Sequence, residues 1–253
     1  MNILRARMFL RSLLLQAGFG DERRQALGFA WALDPALSEA YRRDPRALCA
    51  ARMRHLAPFN TNPYAVGIIL GTTAALEARA AVGDPALSAR AAVLKSAAGA
   101  SLAGAADAFF WGSLRPLAAA LAVFVSTAFW RLRLPHPLAW GTAAGLISFN
   151  AAALASRWTG LARGLAQGEA ALVVAAGLPV REWTRLARLA TVGLLTAAAA
   201  LAVSTGAASP PVFAACAFAA GAGLSRHAGG VLRLLVGVGI LGAVAAAAGW
   251  TLL

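Results

Sequence analysis

The chain has 253 residues, of which 60% are hydrophobic and only 13% are charged, and its mean hydropathy is +0.67. Soluble globular domains hold about 45–50% apolar and about 25% charged residues, so this composition indicates an integral membrane protein. The net charge of +13 lies mostly at the ends of apolar segments, where membrane topology and anionic lipid account for it. Since no basic stripe carries interleaved aromatic residues, nucleic-acid binding is not predicted.

Residues 1–57 are more polar than the rest and hold ten arginines and five acidic residues. Their apolar runs are too short to cross a bilayer core of about 30 Å, so we predict amphipathic helices that lie in the membrane interface or pack on membrane helices. Three Asp-Pro pairs each predict a helix start, with Asp as N-cap and Pro at the first helical position: Asp34-Pro35, Asp44-Pro45 and Asp84-Pro85. Together these signals predict short helices near 5–19, 22–33, 35–42 and 45–57.

A polar turn at residues 58–63 stands before an apolar helix that is too short to span a membrane. The turn contains Asn60, Thr61 and Asn62, and Pro63 marks the break before the helix. Non-helical backbone at membrane depth is tolerated only where it is buried in protein or lines a cavity. We therefore predict a re-entrant element here.

The next apolar stretch, residues 96–130, contains only two charges, Asp107 and Arg115. As one helix it would be about 52 Å long, which exceeds one bilayer. Because Pro116 removes a backbone hydrogen bond, we predict a broken or re-entrant helix with its break between Gly112 and Pro116.

Further spans are predicted at 136–156, 189–208 and 234–253, with a short apolar helix at 212–224. The predicted fold is an all-α, polytopic membrane protein with amphipathic N-terminal helices and broken or re-entrant transmembrane helices. Its predicted regions are interfacial helices at 1–57, a membrane core at 58–168 with the polar turn and the broken helix, and C-terminal transmembrane helices at 169–253.

Asp107, Trp111 and Arg115 are four residues apart each time, a spacing that places them on one helical face. A carboxylate in a bilayer is costly and usually faces a cavity or a partner. Three interpretations of Asp107 remain open: a hydrogen bond to a sugar or other polar ligand, a structural lock with an arginine such as Arg157, or a proton relay. Trp111 suits sugar stacking, packing or an interface anchor.

The sequence contains no GxSxG, HExxH or Walker motif, and its two cysteines and three histidines do not cluster at metal-ligand spacing. No catalytic residue, metal or cofactor is therefore predicted.

Three motifs occur in order along the chain: "RSLLLQAGFGDERRQALGFAWALDPAL", then "FNTNPY", then "SLAGAADAFFWGSLRP". Together they resemble the IID subunit of the mannose/fructose/sorbose class of sugar phosphotransferase systems. Typical members carry "FNTHP" and "GPLAGIGDSLFWGTLRP" at the second and third positions. The resemblance covers roughly residues 8–168.

The resemblance implies a membrane subunit of a phosphoenolpyruvate-dependent sugar permease in the bacterial inner membrane. Members pair with a IIC membrane subunit to translocate a hexose-type sugar, in an assembly with trimeric symmetry. Cytoplasmic IIA and IIB subunits carry the phosphoryl group, so the IID subunit is itself no enzyme. The matching residues are listed by motif: Asn60, Thr61 and Pro63 in the second, and Asp107, Trp111, Gly112, Arg115 and Pro116 in the third.

Three departures from the family pattern leave alternatives open: Asn62 replaces a histidine, Ser101 a proline and Ala106 a glycine. One alternative is a degenerate IID-like scaffold or regulatory subunit without transport. Another is an unrelated transporter or enzyme that uses Asp107 in a proton relay.

Overall fold

The computed structural model describes residues 2–203, so the predicted helices at 212–224 and 234–253 lie outside the described residues. The described residues form nine α-helices, a π-helical turn and two isolated β-bridges. The helices are α1 Asn2–Ser12, α2 Ala26–Ala40, α3 Pro45–His55, α4 Val66–Val82, α5 Ala86–Phe109, α6 Arg115–Arg131, α7 Pro137–Gln167, α8 Glu169–Ala176 and α9 Val180–Val203, and the π-helical turn is Phe110–Leu114.

Three of the described helices are long and apolar enough to cross a membrane: Ala86–Arg131, Pro137–Gln167 and Val180–Ala202. The first of these comprises α5, the π-helical turn and α6 without an intervening non-helical residue. The predicted break between Gly112 and Pro116 is therefore a wide helical turn and not an interruption. A π-helical turn upstream of Pro116 alters the hydrogen-bonding register where the proline lacks its N–H, which allows the helix to continue.

The Asp-Pro predictions had different outcomes. Asp44 is the N-cap of α3, and its Oδ1 accepts hydrogen bonds from the N–H groups of Arg46 (3.0 Å) and Ala47 (2.9 Å), as predicted. At the α5 start Pro85 occupies the cap position, and the Asp84 side chain makes no capping bond.

The prediction of a new helix at Asp34-Pro35 was wrong, because α2 continues through Pro35. Proline at this position removes the N–H that would bond the carbonyl of Trp31, four residues earlier. Arg11 of α1 supplies the missing donor, with its Nη1 3.0 Å from that carbonyl oxygen. A tertiary contact thus permits a helix that the local sequence argued against.

The chain divides into two compact units. Unit 1 comprises residues 1–110 and 152–180, and its core is formed by apolar side chains of α1, α2, α4 and the second half of α7. Unit 2 comprises, of the described residues, 111–151 and 181–203. Within it α6 packs on the first half of α7, where Gly145 lies so close to α6 that an added Cβ would be 2.8 Å from the carbonyl oxygen of Ala118.

In unit 1 the helices α4 and α7 cross at glycines on both sides. A Cβ at Gly67 or Gly71 would collide with the carbonyl oxygens of Arg157 and Leu161, and one at Gly164 would lie 2.5 Å from that of Ile68. Glycines at four-residue spacing allow the two helix backbones to approach closely, and the resulting van der Waals contacts stabilise helix packing in lipid. The crossing fixes α4, and with it the non-helical segment that leads into it.

Candidate functional site

The non-helical segment between α3 and α4, residues 56–65, which we call the extended segment, contains the polar turn predicted from sequence. Its buried residues are Phe59, Thr61, Asn62 and Pro63, whereas Ala57, Pro58 and Asn60 are exposed. Its residue Phe59 accepts a hydrogen bond from the N–H of Gln25 at 2.9 Å and donates its own N–H to the carbonyl of Arg23 at 3.4 Å. Arg24, between those two residues, has a left-handed backbone with φ of 54° and forms a parallel bridge with Phe59. The extended segment is thus held by a second non-helical stretch, at the start of α2.

The side chain of Gln25 makes two further bonds to this segment. Its Nε2 donates to the carbonyl of Thr61 at 2.8 Å, and its Oε1 accepts from the Thr61 N–H at 2.9 Å. The side chains of Gln25 and Thr61 are both buried. Gln25, which belongs to the first sequence motif, therefore pairs backbone groups of Thr61 whose burial without a hydrogen bond would destabilise the fold. Sequence reasoning did not identify Gln25; a lone amide at the head of an apolar run was the available signal.

Asn62 and Asp107, both predicted as site residues, are in contact. The Asn62 Nδ2 donates to Asp107 Oδ1 at 2.8 Å, while its Oδ1 accepts from the N–H of Tyr64 at 2.9 Å and closes a local turn. Asn62 is buried, whereas Asp107 is exposed on the surface of α5 in the isolated chain. One buried amide therefore holds Oδ1 of an exposed carboxylate, whose Oδ2 has no hydrogen-bond partner among the described residues.

The predicted alternative of an Asp107–Arg157 pair is not observed. The Arg157 Nη1 donates instead to the carbonyl of Ser12 at 2.9 Å, and its guanidinium lies 5.7 Å from the ring centre of Tyr64. Ser12 is the last residue of α1, where helix carbonyls lack intrahelical partners. Arg157 thus fixes the end of α1 and leaves Asp107 without an arginine among its described partners.

The extended segment lies close to α5 at Gly99. A Cβ at this position would be 2.7 Å from the Phe59 ring and 3.1 Å from the carbonyl oxygen of Asn60. Gly104, in the same small-residue stretch, has no atom within 4 Å of such a Cβ. Of these two glycines, only Gly99 is required by the packing of unit 1.

The remaining predicted residues divide between the two units. Thr61 is buried, and its Oγ1 has no hydrogen-bond partner in the described part of the chain, while Asn60 is exposed.

In unit 2 the Trp111 ring stacks on Phe149 at 6.3 Å, and the Arg115 guanidinium lies 5.8 Å from the Trp111 ring centre. We predicted that Asp107, Trp111 and Arg115 share one helical face because we assumed α-helical geometry, and the π-helical turn Phe110–Leu114 interrupts that geometry. Pro63 and Gly112 are buried.

A second polar cluster in unit 1 was not predicted. It centres on Glu77 of α4, whose side chain is 1% exposed. One carboxylate oxygen accepts from Tyr41 (2.7 Å) and Arg54 Nη2 (3.1 Å), and the other accepts from Arg54 Nε (3.1 Å) and faces His55 Nε2 at 2.8 Å. All four lone-pair positions of the carboxylate thus have partners.

The environment of this cluster shifts its titrations. Burial lowers the pKa of His55 below 6.5, against the opposing effect of Glu77, so His55 is neutral and donates its Nε2–H to the carboxylate. This tautomer agrees with the lack of a partner at the buried Nδ1. Burial alone would raise the pKa of Glu77, but the hydrogen bonds from His55, Arg54 and Tyr41 outweigh it and lower that pKa. Burial, together with Glu77, raises the pKa of Tyr41 to about 12.

Comparison with known proteins gives consistent matches. The family described as PTS system mannose/fructose/sorbose family IID component matches residues 3–213. The mannose-specific EIID component of Escherichia coli K12 is 38% identical over 165 residues, which are 64% of this chain and 54% of that protein. The sorbose-specific EIID component of Klebsiella pneumoniae is 37% identical over 165 residues, 64% of this chain and 56% of that protein. This chain spans about half the length of these curated relatives.

Two solved structures are similar over most of the chain. One is a cryo-EM structure of the mannose transporter ManYZ in complex with microcin E492, with a TM-score of 0.59 and 32% sequence identity. The other is described as a membrane protein, with a TM-score of 0.62 and 32% identity. Each match covers 78% of this chain and 69% of the other.

Proposed function

We propose a transport function from the premise that this chain belongs to the mannose/fructose/sorbose family of IID components of the phosphotransferase system. The chain is a multi-pass protein of the bacterial inner membrane. In this proposal it forms the sugar translocation unit of a phosphoenolpyruvate-dependent permease together with a IIC subunit. Cytoplasmic IIA and IIB proteins supply the phosphoryl group, and the chain itself catalyses no transfer.

The observation that carries the proposal is the Asn62–Asp107 contact. Two sequence-distant motifs that resemble the family pattern, "FNTNPY" and "SLAGAADAFFWGSLRP", meet through this hydrogen bond of 2.8 Å. The contact uses Oδ1 of the exposed Asp107, and Oδ2 has no hydrogen-bond partner among the described residues. A carboxylate is a strong acceptor for sugar hydroxyl groups, because hydrogen bonds to ionised acceptors are about twice as strong as neutral ones.

In the proposed mechanism Asp107 accepts hydrogen bonds from a hexose-type sugar as it passes between this subunit and IIC. Asn62 holds the carboxylate in orientation, and the extended segment that carries Asn60 and Thr61 provides further polar groups. In unit 2 the Arg115 guanidinium lies 5.8 Å from the Trp111 ring centre, and this pair supplies an aromatic face and a cation that suit a sugar or the bracing of unit 2 itself.

The test is co-expression with a cognate IIC subunit, purification of the complex, and phosphoenolpyruvate-dependent uptake of radiolabelled hexoses in cells that supply IIA and IIB. We expect a stable complex of trimeric symmetry and uptake of at least one hexose that requires the phosphoryl donor. No complex and no uptake of any hexose would refute the proposal. Uptake driven by a proton gradient without a phosphoryl donor would instead favour the proton-relay alternative.

A second candidate function is a membrane scaffold without transport. The observation that favours it is the exposure of Asp107 on the outer face of α5, where a carboxylate could equally contact a partner subunit. In that case a complex with IIC forms, but uptake by the complex is absent. An Asp107→Asn variant then weakens the complex, whereas a sugar-binding role leaves complex yield unchanged and reduces uptake.

A further inference from the structure

Lys95 is the only lysine in the chain, and it is buried in unit 1 with 2% of its surface exposed. Burying an ammonium group is costly unless its donors find acceptors. Among the described residues no carboxylate pairs with it. Its placement therefore requires another source of stabilisation.

That stabilisation comes from the end of α3 and from two aromatic rings. The Lys95 Nζ donates to the carbonyl oxygens of His55 at 3.2 Å and Ala57 at 3.3 Å. His55 is the last residue of α3, and the final carbonyls of a helix carry partial negative charge and lack intrahelical donors. The ring centres of Phe29 and Phe59 lie 5.5 Å and 5.6 Å from Nζ, within the range of cation–π attraction.

The residues that join the extended segment to α5 follow one another in the same order along the segment and along the helix. Residues 55 and 57 bond to Lys95, the next residues pack on Gly99, and Asn62 bonds to Asp107 further along the helix. The segment thus runs alongside α5. Lys95 makes the first of these contacts, at the point where the chain leaves α3.

We propose that Lys95 is a positioning residue that sets the register of the extended segment on α5 and thereby places Asn62 against Asp107. Its ammonium group donates to the buried carbonyl of His55 and to the partly buried carbonyl of Ala57. Without it the start of the segment shifts to find other donors, and the Asn62 amide moves relative to the carboxylate. The consequence for uptake rests on the proposed function, whereas the consequence for the segment does not.

The experiment uses the full chain in complex with IIC and the variant Lys95→Met, which keeps an apolar stem of similar length. Backbone amide hydrogen exchange is measured at residues 57–63, and KM and the maximal rate are measured for phosphoenolpyruvate-dependent uptake. Loss of a buried hydrogen-bonded cation is expected to accelerate exchange at 57–63 by about tenfold and to raise KM by about fivefold, with a smaller change in maximal rate. Exchange at the α4–α7 crossing stays at the wild-type rate.

Arg90→Met is the matched control, because it removes a cation from the exposed start of the same helix, where Arg90 pairs with Glu169. It is expected to leave exchange at 57–63 and KM unchanged. Lys95→Arg, which keeps the cation, is expected to restore part of the exchange protection and part of the KM. If Lys95→Met does not accumulate, Lys95→Gln is measured in its place with the same expected direction.

Wild-type exchange at 57–63 in the Lys95 variant overturns the inference, and so does an acceleration spread evenly over unit 1, which indicates a merely structural role. A wild-type complex without uptake refutes the proposed function, yet the exchange measurement still decides the role of Lys95. Normal uptake with unchanged KM in Lys95→Met overturns the positioning role alone.

Discussion

Two of the acidic side chains of unit 1, Glu77 and Asp107, lie in different surroundings. Glu77 is buried, and its carboxylate is bonded to Tyr41, Arg54 and His55. Asp107 is exposed, and its one described hydrogen bond comes from Asn62. A carboxylate that is saturated with donors stabilises the fold, whereas one with an open oxygen remains available to a ligand or partner.

The difference follows from position along the helices. Glu77 lies near the end of α4, where α2 and α3 pack over it and bring three donor side chains. Asp107 is exposed on α5, and among the described residues its hydrogen bond comes from Asn62 of the extended segment. Burial with full pairing makes the first acid structural, and partial pairing makes the second a candidate for transport. The predictions below separate these roles.

The largest effect is expected for Glu77→Gln. Removing the buried charge leaves the partly buried Arg54 beside a neutral amide, and breaking a buried ion pair costs about 3–5 kcal/mol. We expect a large fall in the melting temperature of the purified complex, measured by thermal unfolding, and reduced complex yield. The control is Glu169→Gln, which removes an exposed acid on α8 and is expected to shift the melting temperature little. Equal shifts in both variants contradict the structural role of Glu77.

The pH dependence of stability comes next. Because burial lowers the pKa of His55 below 6.5, the unfolded chain takes up a proton below that pH that the folded chain does not. Stability is therefore full above pH 6.5 and falls with decreasing pH by about 1.4 kcal/mol per unit until the folded His55 titrates. Glu77, whose pKa is also lowered, adds a second loss as the pH falls below 4.5.

The measurement is the melting temperature of the complex between pH 8 and pH 4, compared with His55→Gln. Glutamine still donates to Glu77 but does not titrate, so the loss that begins below the ordinary histidine pKa is expected to disappear in this variant. The later loss from Glu77 remains. A wild-type protein equally stable from pH 7 to pH 5 runs against the burial of a neutral histidine.

A smaller effect on stability but a distinct effect on transport is expected for Asp107→Asn. The amide oxygen of the new side chain still accepts from Asn62, so the melting temperature changes little. The lost charge weakens hydrogen bonds to a sugar, and uptake is expected to fall about tenfold. Asp84→Asn, at the exposed turn between α4 and α5, is the control and keeps wild-type uptake. A drop in melting temperature as large as that of Glu77→Gln, with uptake lost in proportion, assigns Asp107 to the fold instead.

The helical class, the membrane location and the family resemblance were predicted from sequence and are confirmed by the apolar helices and the matches. Composition and ordered motifs suffice for these. The α3 start was also predicted, since a cap is a local signal. The helix start at Asp34 was predicted wrongly, because the donor that satisfies the Trp31 carbonyl comes from α1 and is invisible to local sequence.

The site was predicted only in part for the same reason. Asn62 and Asp107 were singled out separately, but their contact depends on the path of the extended segment along α5. Gln25 and Glu77 were missed because each acts on residues far away in the chain. The glycine pairs at the α4–α7 crossing carried a readable signal in their four-residue spacing, which indicates close helix packing.

The smallest effect is expected for Asn62→His, which restores the residue of the family motif that this chain resembles. An imidazole N–H can replace the Asn62 amide as donor to Asp107, so the contact persists in one tautomer. The histidine loses the acceptor that now receives the Tyr64 N–H at 2.9 Å if its other nitrogen does not reach that group. We therefore expect a stability loss of about 0.5–1 kcal/mol and uptake within about threefold of wild type at pH 7. Below pH 6.5 protonation adds a charge beside Asp107, so uptake by the variant gains a pH dependence in addition to the one that His55 gives the wild type. Uptake measured from pH 5 to pH 8 in both proteins separates the two cases, and identical profiles mean that the Asn62 position does not control Asp107.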